Sequence, residues 1–306
     1  MARPKPERVI EAPLELQQRV VALHRRLEGL KQQQAGALVE RWFCDRPGCD
    51  GEPHEGRHWC GHPVDSGEHT WECRHSRAEQ RPPVEFKEGR ARNWIMMAGR
   101  GFGKTRSGAQ WLAYEAQSQP DTEWAIIAPT REALAKVCLE GESGLLRALG
   151  IQRGDVRYNK SSLLLRLANG SVISGYSSEA PVSVLGSNLS GAWLDELAKW
   201  RDATMYDNLF PAIRRGLAQT VVTTTPAATR LLLSFLDRKD GSVAVTRGST
   251  FHNEKNLSPQ AVAELRVRWA GTRMERQELF GELLEDVPGA LWTASMMERA
   301  KAVLLD

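Results

Sequence analysis

Residues 98–105 of this sequence, AGRGFGKT, have the residue types and spacing of a phosphate-binding loop. Such a loop needs small residues that let backbone N–H groups wrap a phosphate, and here Ala98 stands where the first glycine is usual. The positive N-terminal end of the following helix would add to the attraction. Lys104 would then reach the β- and γ-phosphates, and Thr105 would offer its hydroxyl to Mg²⁺. The glycines expected around the phosphates are Gly99, Gly101 and Gly103.

The segments on either side of the loop support this interpretation. An apolar, strand-like run precedes it, and a stretch of helical composition follows it up to about Gln117. A phosphate-binding loop needs this context, whereas an ordinary glycine-rich turn does not. Arg100 lies inside the loop, where it would either contact a γ-phosphate or brace a neighbouring acid.

A second chemical motif is the pair of acids that ends the apolar run GAWL, Asp195 and Glu196. In enzymes with a phosphate-binding loop, an aspartate at a strand end holds Mg²⁺. An adjacent glutamate can polarise the attacking water as a general base, which suits hydrolysis better than phosphate transfer to another substrate. Taken alone, the pair is equally consistent with the solvated start of a helix.

A third motif, TVVTTTP, reads as a strand that ends at Pro226. The hydroxyl of Thr225 would sense the γ-phosphate and pass the result of hydrolysis to a moving segment. The alternative is a β-rich strand end that is simply stopped by proline.

The elements that must position these motifs alternate between strand and helix from residue 93 onward, which predicts an α/β fold with a mainly parallel central sheet flanked by helices. Two β-like runs around Asn169-Gly170 predict a hairpin. The domains expected are an N-terminal helical arm (1–43), a Cys/His-rich insert (44–83), the α/β core (84–257) and a C-terminal helical segment (258–306).

The insert has the composition of a metal-binding module. Four of the five cysteines lie in it, together with several histidines and little apolar content. In a reducing compartment such a cluster suggests structural Zn²⁺ rather than disulfides, although no CxxC pair is present. A flexible loop with free thiols is the alternative. The ligands that we favour for Zn²⁺ are Cys44, Cys49, His54 and His75.

Composition limits the partners and the location. The 306 residues carry a formal net charge of only +3, so any DNA binding must use a local patch. The N-terminus lacks the apolar segment of a signal peptide, and no apolar run approaches the length of a membrane span. The sequence therefore predicts no membrane association and a cytoplasmic location.

The three motifs, in this order, resemble the ATPase half of bacteriophage large terminase subunits. AGRGFGKTRSGAQW looks like the Walker A region of that family, GAWLDELAKW like its Walker B region and TVVTTTP like its coupling motif. Further similar segments extend the likeness over about residues 75–292, most of the chain. The resemblance implies an ASCE-type, RecA-like P-loop fold that hydrolyses ATP with Mg²⁺. It also assigns adenine recognition to Gln80, whose amide has both a donor and an acceptor.

The same resemblance implies partners and an arrangement. Its members translocate double-stranded DNA into a procapsid, as a homo-oligomeric ring on the portal that works with a small terminase subunit in the host cytoplasm. Large terminases normally continue into a nuclease, and because this chain stops at Asp306 we expect no nuclease activity from it.

The sequence also departs from the family pattern. Leu185-Gly186 stands where Arg-Gly is expected. An arginine from a neighbouring subunit often completes such a site. Sequence alone does not choose among the candidates Arg131, Arg147, Arg153, Arg214, Arg215 and Arg230.

Two other functions are weighed against a packaging motor. A helicase-like DNA translocase would need a second RecA-like domain, for which the length after Pro226 is too short. A zinc-stabilised nucleic-acid or capsid adaptor with a non-hydrolysing nucleotide site would not need the combination of Lys104, Thr105, Asp195 and Glu196.

Overall fold

The computed structural model describes residues 77–151 and 157–284, which form an α/β domain around one eight-stranded sheet. In spatial order the strands are β3-β4-β5-β2-β6-β7-β1-β8, and β4 alone runs opposite to the others, so that the β3–β4 and β4–β5 pairs are antiparallel. The strands are β1 (Asn93–Ala98), β2 (Glu123–Ala128), β3 (Tyr158–Asn159), β4 (Leu164–Arg166), β5 (Val172–Ser177), β6 (Gly191–Asp195), β7 (Gln219–Thr224) and β8 (Val243–Gly248).

Helices cover the sheet on both faces. The longest of them, α2, follows β1 directly. The described residues also contain short 3-10 turns and a π-helical turn at Glu275–Leu279. The α-helices are α1 (Val84–Lys87), α2 (Lys104–Ser118), α3 (Arg131–Ala133, continued as a π-helix over Leu134–Leu139), α4 (Leu145–Leu149), α5 (Thr204–Leu209), α6 (Arg230–Leu236) and α7 (Pro259–Trp269).

The central strands are buried along their whole length because helices pack on both sides. Alternate residues of β1 therefore enter two different cores. Trp94 and Met96 pack with α2, α3 and α4 on one face, whereas Ile95 and Met97 pack with α5 and α6 on the other. The predicted fold class, with a mainly parallel sheet between helices, is confirmed.

Two local features can be compared with the sequence patterns. The predicted hairpin is present: β4 and β5 pair antiparallel on either side of Asn169-Gly170, and Gly170 adopts a φ of +86°. Strand β8 was not expected from the residue pattern, since its positions are only partly buried at the sheet edge and show no continuous apolar run.

The strand order decides where the motifs lie. β7 is inserted between β1 and β6, and the registers place Met97 beside Thr224 and Asp195 beside Thr223. The carboxyl ends of β1, β7 and β6 therefore form a continuous row at one edge of the sheet, the place where open α/β sheets bind ligands. The segment that follows β8 lies on the opposite side of β1.

The domain boundaries remain predictions. Residues 1–76, which hold the segment predicted to be a helical arm and most of the Cys/His-rich insert, lie outside the described residues, as do residues 285–306. Within the described part, the predicted helical character after Ser258 is present as α7 and the π-helical turn. No helix in that part is both long enough and apolar enough to cross a bilayer.

Candidate nucleotide site

The loop between β1 and α2 has the backbone that a phosphate cradle requires. Gly101 and Gly103 adopt φ values of +71° and +98°, and Gly103 caps α2 without a side-chain hydrogen bond. A Cβ on Gly99 would lie 2.4 Å from the carbonyl oxygen of Leu279, so only glycine fits there. Ala98, by contrast, is still part of β1 and has no positive φ, which explains why this position tolerates a Cβ.

Three side chains from outside the loop hold three successive loop carbonyls. These bonds hold the loop in shape without a ligand. None of the three donors belongs to a motif, although Gln80 was singled out for another reason. The bonds run from Asn253 Nδ2 to Gly101 O (2.6 Å), from Arg77 Nη2 to Phe102 O, and from Gln80 Nε2 to Gly103 O (3.2 Å).

Lys104 folds back over the loop. Its ammonium donates to the carbonyls of Ala98 (2.8 Å) and Gly99 (2.9 Å) and to Thr225 Oγ1 (3.1 Å), and the residue is only 8% exposed. Burial lowers the pKa of Lys104, while the nearby charges of Glu196 and Asp195 oppose that effect. The ammonium thus joins the end of β1 to the end of β7.

Asp195 is buried, and each of its two carboxylate oxygens accepts a hydrogen bond. Oδ1 accepts a hydrogen bond from Thr223 Oγ1 (2.7 Å), and Oδ2 accepts one from the Cys138 thiol (3.3 Å). Among the described residues no cation lies within salt-bridge distance of it. Asp195 does not itself line the cleft that Thr105 and Glu196 border, but its carboxylate and the Thr105 hydroxyl are hard oxygen donors of the kind that suits Mg²⁺.

Cys138 is a site residue that sequence reasoning missed. It lies in the π-helical part of α3, a form of helix that recurs at functional sites. Burial, followed by the charge of Asp195, raises the pKa of its thiol, so the group acts as a neutral donor. No signal in the sequence pairs a lone cysteine with an aspartate 57 positions away.

The burial of Asp195 makes stability depend on pH. Burial, and next the charge of Glu196, raises its pKa from 3.8 to about 6. Between these values the folded protein keeps a proton that the unfolded chain releases, so the metal-free protein loses stability as pH rises, by about 3 kcal/mol in all.

We therefore expect the unfolding free energy of the wild type, relative to Asp195→Asn, to fall by about 3 kcal/mol between about pH 3 and about pH 7. Urea denaturation of both proteins in a metal chelator measures this difference. Comparing the two proteins at each pH cancels the contributions that the other titrating groups make to the unfolding free energy. A difference that stays constant with pH would contradict the prediction.

Glu196 follows with a strained backbone, since its φ of +48° is unusual for a residue with a side chain. The side chain lies in the cleft wall, is 22% exposed and forms an ion pair with Lys199 Nζ at 3.3 Å. The turn behind it is tied to β7, because the N–H of Ala198 donates to Thr224 Oγ1 at 3.1 Å. The turn that begins at Glu196 is thus bonded to the last residue of β7, immediately before Thr225.

Arg100 was given two roles from sequence, and the structure shows one of them. Its Nε lies 2.6 Å from Glu278 Oε2, and its backbone N–H donates to Glu278 O at 2.7 Å. The side chain of Glu278 is only 10% exposed, whereas that of Arg100 is 60% exposed. Arg100 therefore braces an acid here, and a contact with a γ-phosphate remains a prediction.

A cleft of about 730 Å³ lies beside the phosphate-binding loop. Lys104, Thr105, Glu196 and Thr225 line it, as do Arg100 and Gln80. Of the arginines considered for a role in a neighbouring subunit, Arg153 lies outside the described residues. The remaining five, which do not line this cleft, are Arg131, Arg147, Arg214, Arg215 and Arg230.

The proposed zinc ligands cannot be placed, because Cys44, Cys49, His54 and His75 lie outside the described residues. Over residues 77–151 and 157–284, no three His, Cys, Asp or Glu side chains gather as a metal site.

Residues 95–299 match the family model of the terminase large subunit, T4likevirus-type, N-terminal. The chain belongs to this terminase family. The match covers the phosphate-binding loop, the acidic strand end and the coupling motif together, so the family indicated by the motifs is confirmed. With it, the prediction that this chain is the N-terminal part of a terminase large subunit is confirmed. No curated protein matches the sequence significantly.

Solved structures agree on the fold of this terminase. The large terminase of a thermophilic bacteriophage in complex with ADP superposes with a TM-score of 0.56 and 15% identity, over 67% of this chain and 51% of that one. An arginine variant of the large terminase ATPase domain of Thermus phage P74-26 gives a TM-score of 0.50 and 18% identity, over 67% of this chain and 95% of that one. This terminase chain thus spans about half the length of the first relative.

Proposed function

We propose that this terminase binds ATP with Mg²⁺, hydrolyses it, and uses the energy to move double-stranded viral DNA into a procapsid. The observation that carries this proposal is the convergence of Lys104, Asp195, Glu196 and Thr225 at the ends of three adjacent parallel strands. A relative with the same fold binds ADP, which supports a nucleotide as the ligand.

The triphosphate would lie along the loop, with its phosphates against the backbone N–H groups and the start of α2. Lys104 would exchange its carbonyl partners for the β- and γ-phosphates, which offer a stronger, charge-assisted hydrogen bond. Thr105 and Asp195 are the residues that would hold Mg²⁺, and the ion would neutralise charge on the phosphate oxygens.

Glu196 would accept the proton of the attacking water, which is the step that distinguishes hydrolysis from mere binding. Thr225 already touches Lys104, so loss of the γ-phosphate would change a contact of the residue that directly follows β7. The bond from Ala198 to Thr224 carries that change to the turn beside Glu196. This is a physical route by which hydrolysis would move the segment after β7.

We infer the assembly from the family. In the host cytoplasm, copies of this chain would form a homo-oligomeric ring on the portal. This ring would hold the double-stranded DNA and would work with the small terminase subunit. DNA contacts would be mainly with phosphates, and therefore independent of sequence and weakened by salt. A neighbouring subunit would supply an arginine to the γ-phosphate. Leu185 occupies the position where the family pattern has arginine, so that position does not supply the arginine here.

The test is steady-state ATP hydrolysis at several protein and Mg²⁺ concentrations, for the wild type, Lys104→Ala and the exposed-lysine control Lys239→Ala. We expect turnover that needs Mg²⁺, that rises in specific activity with protein concentration, and that Lys104→Ala lowers by about 10²-fold or more. Lys239→Ala should behave as the wild type. Binding of Mg-ATP without turnover at any concentration would contradict the proposal and favour a non-hydrolysing adaptor.

A further inference from the structure

The cleft has two ends, and the sheet order distinguishes them. β7 and β6, with Thr225 and Glu196, lie on one side of β1, and β8 lies on the other. The segment after β8 brings Asn253, Asn256 and Leu257 to the cleft wall. A triphosphate whose γ-phosphate points toward Glu196 therefore has its nucleoside directed toward this second end. The following argument rests on the proposed function, because it requires such a ligand.

Gln80, the residue assigned to the base from sequence, is already engaged in the loop. Its Nε2 donates to Gly103 O (3.2 Å), its Oε1 accepts from the N–H of Arg77 (3.3 Å), and the residue is only 2% exposed. A Cβ on Gly103 would meet Gln80 Nε2 at 2.5 Å, so the amide is packed tightly against the loop. Both polar atoms of the Gln80 side chain are therefore engaged, Nε2 with the loop and Oε1 with the backbone of Arg77.

Asn256 has the opposite character, because one of its atoms lacks a partner. The carbonyl of Gly101 can only accept, so Asn253 must present its Nδ2 there, at 2.6 Å. Its Oδ1 is then the acceptor for Asn256 Nδ2, at 2.9 Å. This chain of bonds fixes which way the amide of Asn256 points, and it leaves Asn256 Oδ1 as a buried acceptor without a hydrogen bond.

Arg77 completes the arrangement with an unmet donor. Its Nη1 donates to Asn253 Oδ1 and its Nη2 to Phe102 O, and its guanidinium stacks over the Phe102 ring at 5.1 Å. Its Nε is buried without a hydrogen-bond partner. Such orphaned polar atoms are rare in native proteins and call for an explanation. Here an unmet acceptor and an unmet donor border the same cleft and share Asn253.

We propose that this end of the cleft selects adenine through Asn256 and Arg77. Asn256 Oδ1 accepts a hydrogen bond from the exocyclic amine, and Arg77 Nε donates to a ring nitrogen of the base. Leu257, whose side chain packs against the loop at Gly101, supplies apolar surface beside the base. A purine with an oxygen at position 6 presents an acceptor to Asn256 Oδ1, so the site rejects it.

Inosine triphosphate is the sharpest probe, because relative to ATP it replaces the amine at position 6 with an oxygen and protonates the adjacent ring nitrogen. The measurement is calorimetric binding of each Mg-nucleotide to the full chain. We expect the wild type to bind ATP more tightly, by about tenfold or more, because the wrong base leaves buried polar groups unmet. Asn256→Leu, similar in shape, should bring the ratio close to one by weakening ATP, whereas Asn256→Asp retains an acceptor and should keep a preference for ATP.

Gln80→Leu is the control that separates the two assignments. Since Gln80 supports the loop, its loss should weaken ATP and inosine triphosphate by the same factor and leave their ratio unchanged. Thermal melting of each variant identifies any that fails to fold, and Asn256→Asp then decides the role of the acceptor. The inference is overturned if Asn256→Leu keeps the wild-type ratio, or if Gln80→Leu abolishes it. Equal binding of both nucleotides by the wild type overturns this inference alone, whereas binding of neither overturns the proposed function with it.

Discussion

Glu196→Gln is expected to bind Mg-ATP about as tightly as the wild type while its hydrolysis rate falls by about 10²- to 10⁴-fold. The amide keeps the size and most hydrogen bonds of the acid, so the cleft and its ligand contacts persist. It cannot take a proton from water, however, so the chemical step loses its base. Single-turnover hydrolysis, together with calorimetric binding of a non-hydrolysable analogue, separates the two effects.

Glu142→Gln is the matched control, because Glu142 is an exposed acid that lines the same cleft. It carries the same change of charge into the same cavity and should leave turnover unchanged. If Glu142→Gln and Glu196→Gln slowed hydrolysis equally, the loss would reflect the overall field of the cleft. If Glu196→Gln turned over normally, another group must act as the base, and the mechanism proposed for Glu196 would be wrong.

Gly108→Val is expected to lower the free energy of unfolding by about 3 kcal/mol or more. Gly108 lies in α2 where the helix meets the sheet, and a Cβ there would lie 2.3 Å from Trp193 Nε1. Trp193 is fully buried in β6, so it has no room to retreat. The loss of glycine in a helix would by itself be favourable, and the steric conflict must exceed that gain.

The same contact connects helix packing to chemistry. Trp193 Nε1 donates to Thr223 Oγ1 at 2.7 Å, and Thr223 in turn donates to Asp195. Denaturant unfolding of Gly108→Val, of Ser118→Val at the exposed end of the same helix, and of Gly108→Val combined with Trp193→Phe tests the cause. Ser118→Val should change stability by less than about 0.5 kcal/mol. The double variant should recover part of the loss, and strict additivity of the two substitutions would contradict the steric explanation.

Much of the candidate site could be read from the sequence because its chemistry is local. The backbone of residues 98–105 is set by glycines a few positions apart, and Lys104 and Thr105 follow the loop directly. Asp195 ends a run of apolar residues, and such a run is typical of a strand that is buried on both faces. In each case the residue types dictate a conformation within one turn or one strand, so no knowledge of distant contacts is needed.

Other parts of the site depend on contacts between distant segments. Cys138 reaches Asp195 across 57 positions, and Glu278 reaches Arg100 across 178. Asn253 holds a loop carbonyl 152 positions away. Nothing in the sequence neighbourhood of these residues distinguishes them, because each acts through a contact with a distant segment. The dual engagement of Gln80 is of the same kind, since an amide that suits adenine equally suits a backbone carbonyl.

The sequence by itself determined the family, the α/β class and the identity of the phosphate-binding loop, because these follow from short-range spacing and from apolar runs that can only be buried strands. The tertiary structure alone decided that β7 lies between β1 and β6, and hence that Thr225 contacts Lys104. It also decided which buried polar atoms are satisfied and which are left without partners. The physical reason is that strand order and polar pairing are set by the packing of the whole domain, whose energy is shared among many distant residues and is encoded by no single segment.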